Sequence, residues 1–403
     1  MRRKRKTAEG SVNNLWCACQ LHGTPFERFR FTRRQSLKAT GVGFVASLVA
    51  ILEGSGQVSR AQTLGSNPPV VDGLSVRMVT DNYTDRFSVP LTTPRLGVER
   101  MGGTERPRTP PHDTLEAEWG LSMFAQSIRD DEIRRVMVDF GYSSEVLLTN
   151  MRILGIDPAS IDALVLSHGH YDHFGGLMGL LTATKGRLKN DLPLFVGGED
   201  CFCERETTAG GDFGALDRPG ILAAGIRLMI VEGPAIAAGH AMTSGQIPKT
   251  TYEDPLRASQ ERIGMSAGLG CDPALEPASK HTGTFVSDDF QHEIGTSYLV
   301  KDRGLVVLTS CSHRGVLNTI KQAQAAAGTD QLHAVIGGFH LPPPLSEEYV
   351  RQTVAGLKSM KPDYVIPAHC SGERFYDIAR AEMPGRIVRS SVGTRFTFGA
   401  RTG

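Results

Sequence analysis

Residues 163–177 of this chain have the sequence ALVLSHGHYDHFGGL. A short apolar run, typical of a buried strand, leads directly into His168, His170, Asp172 and His173. Side chains two residues apart point to the same side of an extended strand end, so His168 and His170 face one point. The glycines that follow let the chain turn into a helix, from which Asp172 and His173 approach that point. Imidazole nitrogens and a carboxylate suit zinc, and also iron or manganese.

A polar loop with chance histidines is the simpler interpretation of this stretch. The whole chain has 12 histidines among 403 residues, whereas this loop places three histidines and one aspartate within six residues. Composition alone does not produce that density. We therefore predict a metal site at His168–His173.

The loop His168-Gly-His170-Tyr-Asp172-His173 resembles the HxHxDH motif of the metallo-β-lactamase superfamily. Further segments resemble one branch of it, the metal-dependent hydrolases named as dihydropterin ribofuranosylaminobenzene-phosphate synthases. These segments are Val138–Gly141, Leu154–Asp157, Thr309–His313, Ile336–Leu341 and Pro367–Gly372. The resemblance covers roughly residues 73–398. It implies an α/β fold, the αββα four-layer sandwich of the superfamily, and two divalent metal ions, zinc first, with iron or manganese as alternatives.

The pattern of elements agrees with an α/β sandwich. A strand ending at Asp139 is followed by a helical segment, the apolar strand, the metal loop and another helix. In the last third of the chain, three apolar strands end close to His313, His340 and His369. The carboxyl ends of such strands lie along one edge of an open α/β sheet, where ligands bind.

The number of ligands that zinc requires points to His313 and His369. Shared between two ions, the four residues of the loop give each ion two protein ligands, His168 with His170 and Asp172 with His173. A catalytic zinc normally has three protein ligands and one open position. We therefore predict that His313 and His369 complete the two sites.

Four further roles follow from position or resemblance. His340 is followed by a stiff run of prolines, and we predict that it faces substrate or carries a proton. Asp172 is expected to act in catalysis as well as in metal binding. The resemblance implies that Asp139 supports the ligand loop without touching metal. His240 lies where many members of the superfamily supply a third histidine, and either a ligand or a pocket histidine is possible there.

The expected function is that of a metal-dependent hydrolase attacking an ester, lactone or phosphoester of a small molecule. A synthase-like group transferase and an iron-dependent oxidoreductase are the alternatives. The formal net charge of +1, with 22% charged residues, gives no indication of nucleic-acid binding. A binding protein without activity is disfavoured because the complete motif is present.

The positive charge is concentrated at the beginning of the chain. Residues 1–38 contain ten Lys or Arg against two Glu, an excess of eight that leaves the remainder near −7. Arg33 and Arg34 precede an apolar run too short to span a membrane and a stretch of small residues, which resembles a twin-arginine signal peptide. We predict a leader over residues 1–61, engagement of the export machinery and a periplasmic location, with no membrane span in the mature chain.

We predict one metallo-β-lactamase-fold domain over residues 62–403, with an irregular insertion at about 250–289 that governs substrate choice. The chain has seven cysteines: Cys17, Cys19, Cys201, Cys203, Cys271, Cys311 and Cys370. Disulfides are possible after export, but sequence alone does not assign them. Cys311 and Cys370 lie near predicted ligands, and burial as small apolar residues is the favoured interpretation for both.

Overall fold

The alternation of apolar side chains along the strands explains why two large sheets pack face to face. On one sheet Val136 points into the core between the sheets and Met137 points away, into an outer core. On the other sheet Leu308 enters the shared core and Val307 a separate outer core. The computed structural model describes residues 58–60, 64, 67–101, 113–254, 256, 259–282 and 285–400.

The first large sheet has ten strands, the first five parallel and the rest antiparallel. In spatial order they are Val58–Arg60, Arg227–Ile230, Pro193–Val196, Ala163–Val165, Glu132–Val138, Ser122–Arg129, Gly73–Thr80, Arg395–Gly399, Gly97–Glu99 and Leu91–Thr92. The strand that leads into the metal loop is therefore interior to the sheet, paired on both sides.

The second large sheet has seven strands. Six follow the order Ala235–Ala237, Ala241–Thr243, Thr296–Val300, Gly304–Thr309, Leu332–Gly337 and Tyr364–Pro367, and Val70–Val71 pairs with Thr296–Val300. The last three of the six are parallel, so their carboxyl ends lie at one edge.

Helices cover the outer faces of both sheets. Ser144–Ile153, Leu177–Ala183 and Arg218–Ala223 pack on the first sheet, and Val316–Ala327, Glu347–Ser359 and Glu373–Glu382 pack on the second. The short helix Tyr171–Phe174 lies inside the metal loop, and single 3₁₀ turns lie at Pro158–Ser160, Glu199–Phe202, Pro273–Leu275, Ala278–Lys280 and His369–Ser371. Helix, sheet, sheet, helix is the αββα four-layer sandwich predicted from the sequence.

The segment at about 250–289 is not the irregular insertion that we predicted. Ser259–Arg262 and Phe285–Ser287 join Glu204–Thr207 and Asp212–Gly214 in a four-stranded antiparallel sheet, and Met265–Ser266 pairs with Leu269–Gly270. Its strands are too short, and too rich in charged side chains, to show strand periodicity. A disulfide joins Cys203, which precedes the strand Glu204–Thr207, to Cys271, which follows the two-stranded hairpin.

Most of the predicted leader lies outside the described residues. Its last part is described in Val58–Arg60, a strand that pairs in parallel with Arg227–Ile230 at the edge of the first sheet. Among the described residues, no helix has the length and apolar character that crossing a membrane requires.

Candidate metal centre

The candidate residues come together because strands of both sheets end at the same place. They follow the strands ending at Val138, Val165, Thr309, Gly337 and Pro367. The residues carried by these ends are Asp139, the metal loop His168–His173, His313, His340 and His369. The edge formed by the carboxyl ends of the strands is thus the candidate site.

Several of these residues hold the left-handed backbone conformation, which side chains other than glycine rarely adopt. The φ angles are +58° at Asp139, +61° at Ser312, +44° at His340 and +47° at His369. The conformation of His369 is fixed by its backbone N–H, which donates to Asp81 Oδ1 at 3.0 Å. Such strain persists only where the surrounding structure imposes it, and it is concentrated at functional sites.

One group of donors consists of His168, His170 and His313. Their rings are buried, and each pair of ring centroids is 4.8 Å apart. One ligand atom from each residue lies within 4.8 Å of the other two. His168 Nε2 and both ring nitrogens of His313 have no hydrogen-bond partner among the described residues. These atoms fit a cation, because a buried nitrogen left without a partner is otherwise costly.

A second group consists of Asp172, His173 and His369. Asp172 Oδ2 lies 3.3 Å from His369 Nε2 and 3.7 Å from His173 Nε2. Oxygen and nitrogen ligands about 2.0–2.1 Å from one tetrahedral zinc are themselves about 3.3 Å apart. The spacing within the group therefore suits a shared ion. Together the six residues of the two groups are called the donor cluster below.

Asp139 supports the donor cluster from behind. Its Oδ2 accepts from His173 Nδ1 at 2.8 Å and from Ser167 Oγ at 2.8 Å, and its Oδ1 accepts from the Ser167 N–H at 2.7 Å. Ser167 Oγ also lies 2.9 Å from His168 Nδ1. A carboxylate that fixes Nδ1 in this way leaves Nε2 of His173 directed at the site. This is the position that the sequence led us to expect for Asp139.

The electrostatics of the cluster favour neutral imidazoles and an ionised carboxylate. Burial lowers the pKa of His170 to about 3 and holds the pKa values of His168 and His313 well below the usual range. Burial opposes ionisation of Asp172, but His173 and His369 outweigh it and lower the pKa of Asp172. Neutral histidine and charged aspartate are the forms that bind a divalent metal.

His369 differs from the other histidines. Burial would lower its pKa, yet its interaction with Asp172 and the nearby Cys370 raise the pKa of His369 to about 9. The second group thus stabilises positive charge beside Asp172. A divalent cation bound there would supply that positive charge.

The structure places the two remaining candidate histidines differently. His340 contacts the donor cluster, its ring centroid 4.1 Å from that of His313, and neither ring nitrogen has a partner among the described residues. His240 lies elsewhere: Ser127 Oγ is 3.0 Å from its Nδ1, and Glu132 Oε2 is 3.5 Å from its Nε2. Ser127 and Glu132 lie at the opposite end of their strands from Asp139. Of the two possibilities left open for His240, the structure therefore does not place it among the donors.

A network of buried charges was missed by the sequence analysis. The side chain of Arg205 is fully buried and donates from Nε to Asp288 Oδ2 at 2.7 Å and from Nη2 to Glu261 Oε2 at 3.1 Å. Asp200, Lys280 and His292 complete what we call the Arg205 network. Its members are up to 92 residues apart in the chain and form no motif.

The Arg205 network contacts the metal loop. The N–H of Gly169 donates to His292 Nε2 at 3.0 Å, and His170 Nε2 lies 3.9 Å from Asp288 Oδ2. Glycine is required between the two histidines, because a Cβ at residue 169 would come within 2.5 Å of Arg205 Nη1. The four-stranded sheet, which carries Arg205, therefore helps to position the loop.

A cavity of about 260 Å³ opens beside the second donor group. His369 and Cys370 form part of its wall, and Trp119 packs over His369 with ring centroids 4.9 Å apart. Arg389 lies in the same wall, 4.6 Å above the ring of Tyr376. The cavity offers an apolar, aromatic surface and one cation within reach of the donors.

Comparison with known proteins agrees with this geometry. Residues 128–191, which include the metal loop, match the model of the metallo-β-lactamase superfamily. The chain is 28% identical over 286 residues to a protein of Methanocaldococcus jannaschii named 7,8-dihydropterin-6-methyl-4-(β-D-ribofuranosyl)-aminobenzene-5'-phosphate synthase, covering 70% of this chain and 90% of that one. An uncharacterized protein of the same archaeon is 27% identical over 264 residues, covering 64% of this chain and 87% of that one.

A solved structure described as a metal-dependent hydrolase of the β-lactamase superfamily has the same fold. It superposes with a TM-score of 0.57 at 22% identity, covering 80% of this chain and 98% of that chain. The layer order, the motif and these matches agree with one another. Over residues 128–191 the chain is similar to the metallo-β-lactamase superfamily, and a curated relative is named as a dihydropterin ribofuranosylaminobenzene-phosphate synthase.

Proposed function

We propose that this protein is a metal-dependent hydrolase that adds water across an ester, lactone or phosphoester bond of a small molecule. The superfamily is largely enzymatic and its fold generally binds divalent metals. The observation that carries the proposal is the donor cluster: six buried ligand residues in two adjacent groups, several of whose nitrogens have no partner among the described residues. A cavity adjoins them.

The six residues of the donor cluster would bind two ions, three residues to each. His168, His170 and His313 would hold one divalent ion, and Asp172, His173 and His369 the other. Such ions lower the pKa of water toward neutrality and polarise the group under attack. Asp139 holds His173 in the tautomer that presents Nε2 to the site. The two nitrogens of His340, beside His313, are available to accept or return a proton during bond cleavage.

The cavity suggests what the substrate looks like. Trp119 and Tyr376 present ring surface to an apolar or planar portion, and Arg389 presents a guanidinium to an anionic portion. Arg389 is partly neutralised by Glu373, 3.4 Å away, so an anionic portion competes with an existing ion pair. An amphiphilic ester or phosphoester fits this cavity wall better than a wholly apolar substrate does.

The experiment is a panel of aryl esters, lactones and phosphodiesters, assayed with metal-depleted protein and after zinc, iron or manganese is restored. We expect turnover of at least one class, with loss on chelation and recovery on reconstitution. Metal-restored protein that turns over none of the three classes would contradict the proposal. Visible absorption of the purified protein would instead indicate iron and favour the oxidoreductase alternative.

The transferase alternative rests on the name of the relative from M. jannaschii, which is that of a synthase of a 5'-phosphate compound. Arg389 in the cavity is compatible with a phosphate group. Reaction in ¹⁸O-labelled water separates the two: a hydrolase incorporates the label into product, and a transferase in the presence of an acceptor does not.

We also propose that the chain is exported, as its leader predicts. The disulfide between Cys203 and Cys271 supports this, because disulfides persist in oxidising compartments. Changing Arg33→Lys with Arg34→Lys should trap the protein inside the cell with its leader uncleaved, since lysine lacks the planar guanidinium. The matched control is Arg28→Lys with Arg30→Lys, which should export normally. Normal export of the Arg33/Arg34 variant would overturn the twin-arginine route.

A further inference from the structure

Two free cysteines lie at the donor cluster, and they differ from the other cysteines of the described chain. Cys201, Cys203 and Cys271 belong to an apolar core cluster. Cys311 and Cys370 are equally buried but face polar atoms. Cys311 Sγ lies 3.2 Å from His173 Nε2 and 3.5 Å from Cys370 Sγ. Burial as small apolar residues, which we expected from the sequence, does not account for these neighbours.

The sulfur of Cys311 lies between the two donor groups. It falls within 4.8 Å of ligand atoms of His168 and His173, and likewise of His313 and His340. It also forms a group with His369 and Cys370 at the same limit. Cys311 therefore lies close to members of both donor groups. None of the six predicted ligands was expected to lie between the groups.

The separation from His173 fits two ligands of one ion. Zinc–nitrogen bonds of about 2.0–2.1 Å and zinc–sulfur bonds of about 2.3 Å place the two donor atoms about 3.5 Å apart at a tetrahedral angle. The observed 3.2 Å is close to this separation. Thiolate is also a preferred ligand for zinc and iron, and a poor one for magnesium or calcium.

Cys370 is arranged to support a thiolate at Cys311. Its sulfur accepts the backbone N–H of His340 at 3.3 Å, and its S–H is placed to donate to Cys311 Sγ. Hydrogen bonds of this kind orient a ligand and tune its charge.

We propose that Cys311 is a thiolate ligand of the metal centre and that Cys370 is its hydrogen-bond donor. This inference rests on the proposed function for the presence of a divalent ion, and it adds a sulfur ligand to the nitrogen and oxygen donors. It makes zinc or iron, rather than manganese, the metal of the site.

The test uses the full chain loaded with cobalt(II), whose spectrum reports both binding and sulfur ligation. The expected wild-type spectrum has visible ligand-field bands and an intense near-ultraviolet sulfur-to-cobalt band. Cys311→Ser should lose the near-ultraviolet band and keep the ligand-field bands. Cys370→Ser should keep the band, shifted in energy. The matched control, Cys201→Ser, replaces a buried cysteine of the apolar core and should leave the spectrum unchanged.

Three outcomes would overturn the inference. Ligand-field bands without the near-ultraviolet band in wild-type protein would refute sulfur ligation while leaving the metal site intact. A near-ultraviolet band that survives Cys311→Ser would assign the sulfur elsewhere. No cobalt bands at all would refute this inference and the proposed function together. Should Cys311→Ser not fold, X-ray absorption of the wild-type zinc protein decides: we expect sulfur at about 2.3 Å, and a shell of nitrogen and oxygen alone contradicts the inference.

Discussion

Two buried polar clusters lie next to each other in this molecule and differ in whether their atoms have partners. In the Arg205 network the guanidinium contacts Asp288, Glu261 and the Asp200 carbonyl. None of its side-chain nitrogens or oxygens is left without a partner in the described chain. In the donor cluster, by contrast, His168, His313 and His369 each have at least one buried ring nitrogen without one.

The difference separates a structural cluster from a binding site. Buried polar groups are satisfied by each other where the fold is their only purpose, because an unpaired group costs about 1–3 kcal/mol. The unpaired nitrogens of the donor cluster differ from isolated unpaired atoms such as His240 Nε2, because they belong to ligand residues that converge on one place. The Arg205 network is thus complete in itself, whereas we propose that cations complete the donor cluster. Each variant described below changes the Arg205 network, the donor cluster or a residue in contact with the donor cluster.

The largest expected effect on stability is that of Arg205→Met. Methionine has similar length but leaves Asp288 buried without its arginine and leaves Glu261 with Lys280 as its only remaining cation in the network. Breaking a buried pair in this way costs about 3–5 kcal/mol. Denaturant unfolding measures it. The control is Arg187→Met, which breaks an exposed pair with Asp157 and should cost at most about 1 kcal/mol. Equal losses for the two variants would show that the network does not stabilise the fold.

The next effect concerns metal content. His369→Ala removes a buried donor whose Nε2 lies 3.3 Å from Asp172 Oδ2, so the metal-free variant should still fold but lose some stability through that contact and the cavity left by the ring. The variant should nevertheless lose about one metal ion per chain, because each ligand contributes affinity directly. Elemental analysis and unfolding with and without chelator measure both effects.

The matched control for His369→Ala is His340→Ala, which should keep both ions and mainly lower turnover. The two residues occupy equivalent places after neighbouring strands and share the left-handed conformation. Loss of metal in His340→Ala with retention in His369→Ala would mean that the two roles are exchanged.

A smaller effect on metal affinity is expected from Asp139, which supports the donor His173. Asp139→Asn keeps the size of the side chain. Its neutral amide is a weaker acceptor of the His173 Nδ1 proton than the charged carboxylate is. Changes in such supporting partners typically lower metal affinity by about 10–100-fold. Competition with a chelator of known affinity measures it. We expect both ions to bind at saturating metal, and an unchanged affinity would show that Asp139 does not orient His173.

Sequence was informative where chemistry is concentrated in a few adjacent positions. The metal loop packs four donors into six residues, and apolar strands ending near His313 and His369 indicated where further donors lie. The fold class followed from the motif and from the order of strands and helices. The structure brings these six side chains into two adjacent groups.

Sequence was uninformative where contacts are made at long range by single residues. Arg205, Asp288 and His292 have no periodicity or motif in common, and only the folded chain shows that they form a network. Cys311 and Cys370 gave no signal of polar surroundings because cysteine is commonly buried as a small apolar residue. The two possibilities for His240 stayed open for a related reason, because sequence position does not determine at which end of the sheet a residue lies.

The central claim is that the unpaired nitrogens of the donor cluster exist to bind divalent metal. Titration calorimetry of chelator-treated, folded protein with zinc tests it most directly. The account predicts about two equivalents bound, and a release of protons only where a bound group must deprotonate. A folded, chelator-treated protein that binds no zinc, cobalt, iron or manganese would contradict it.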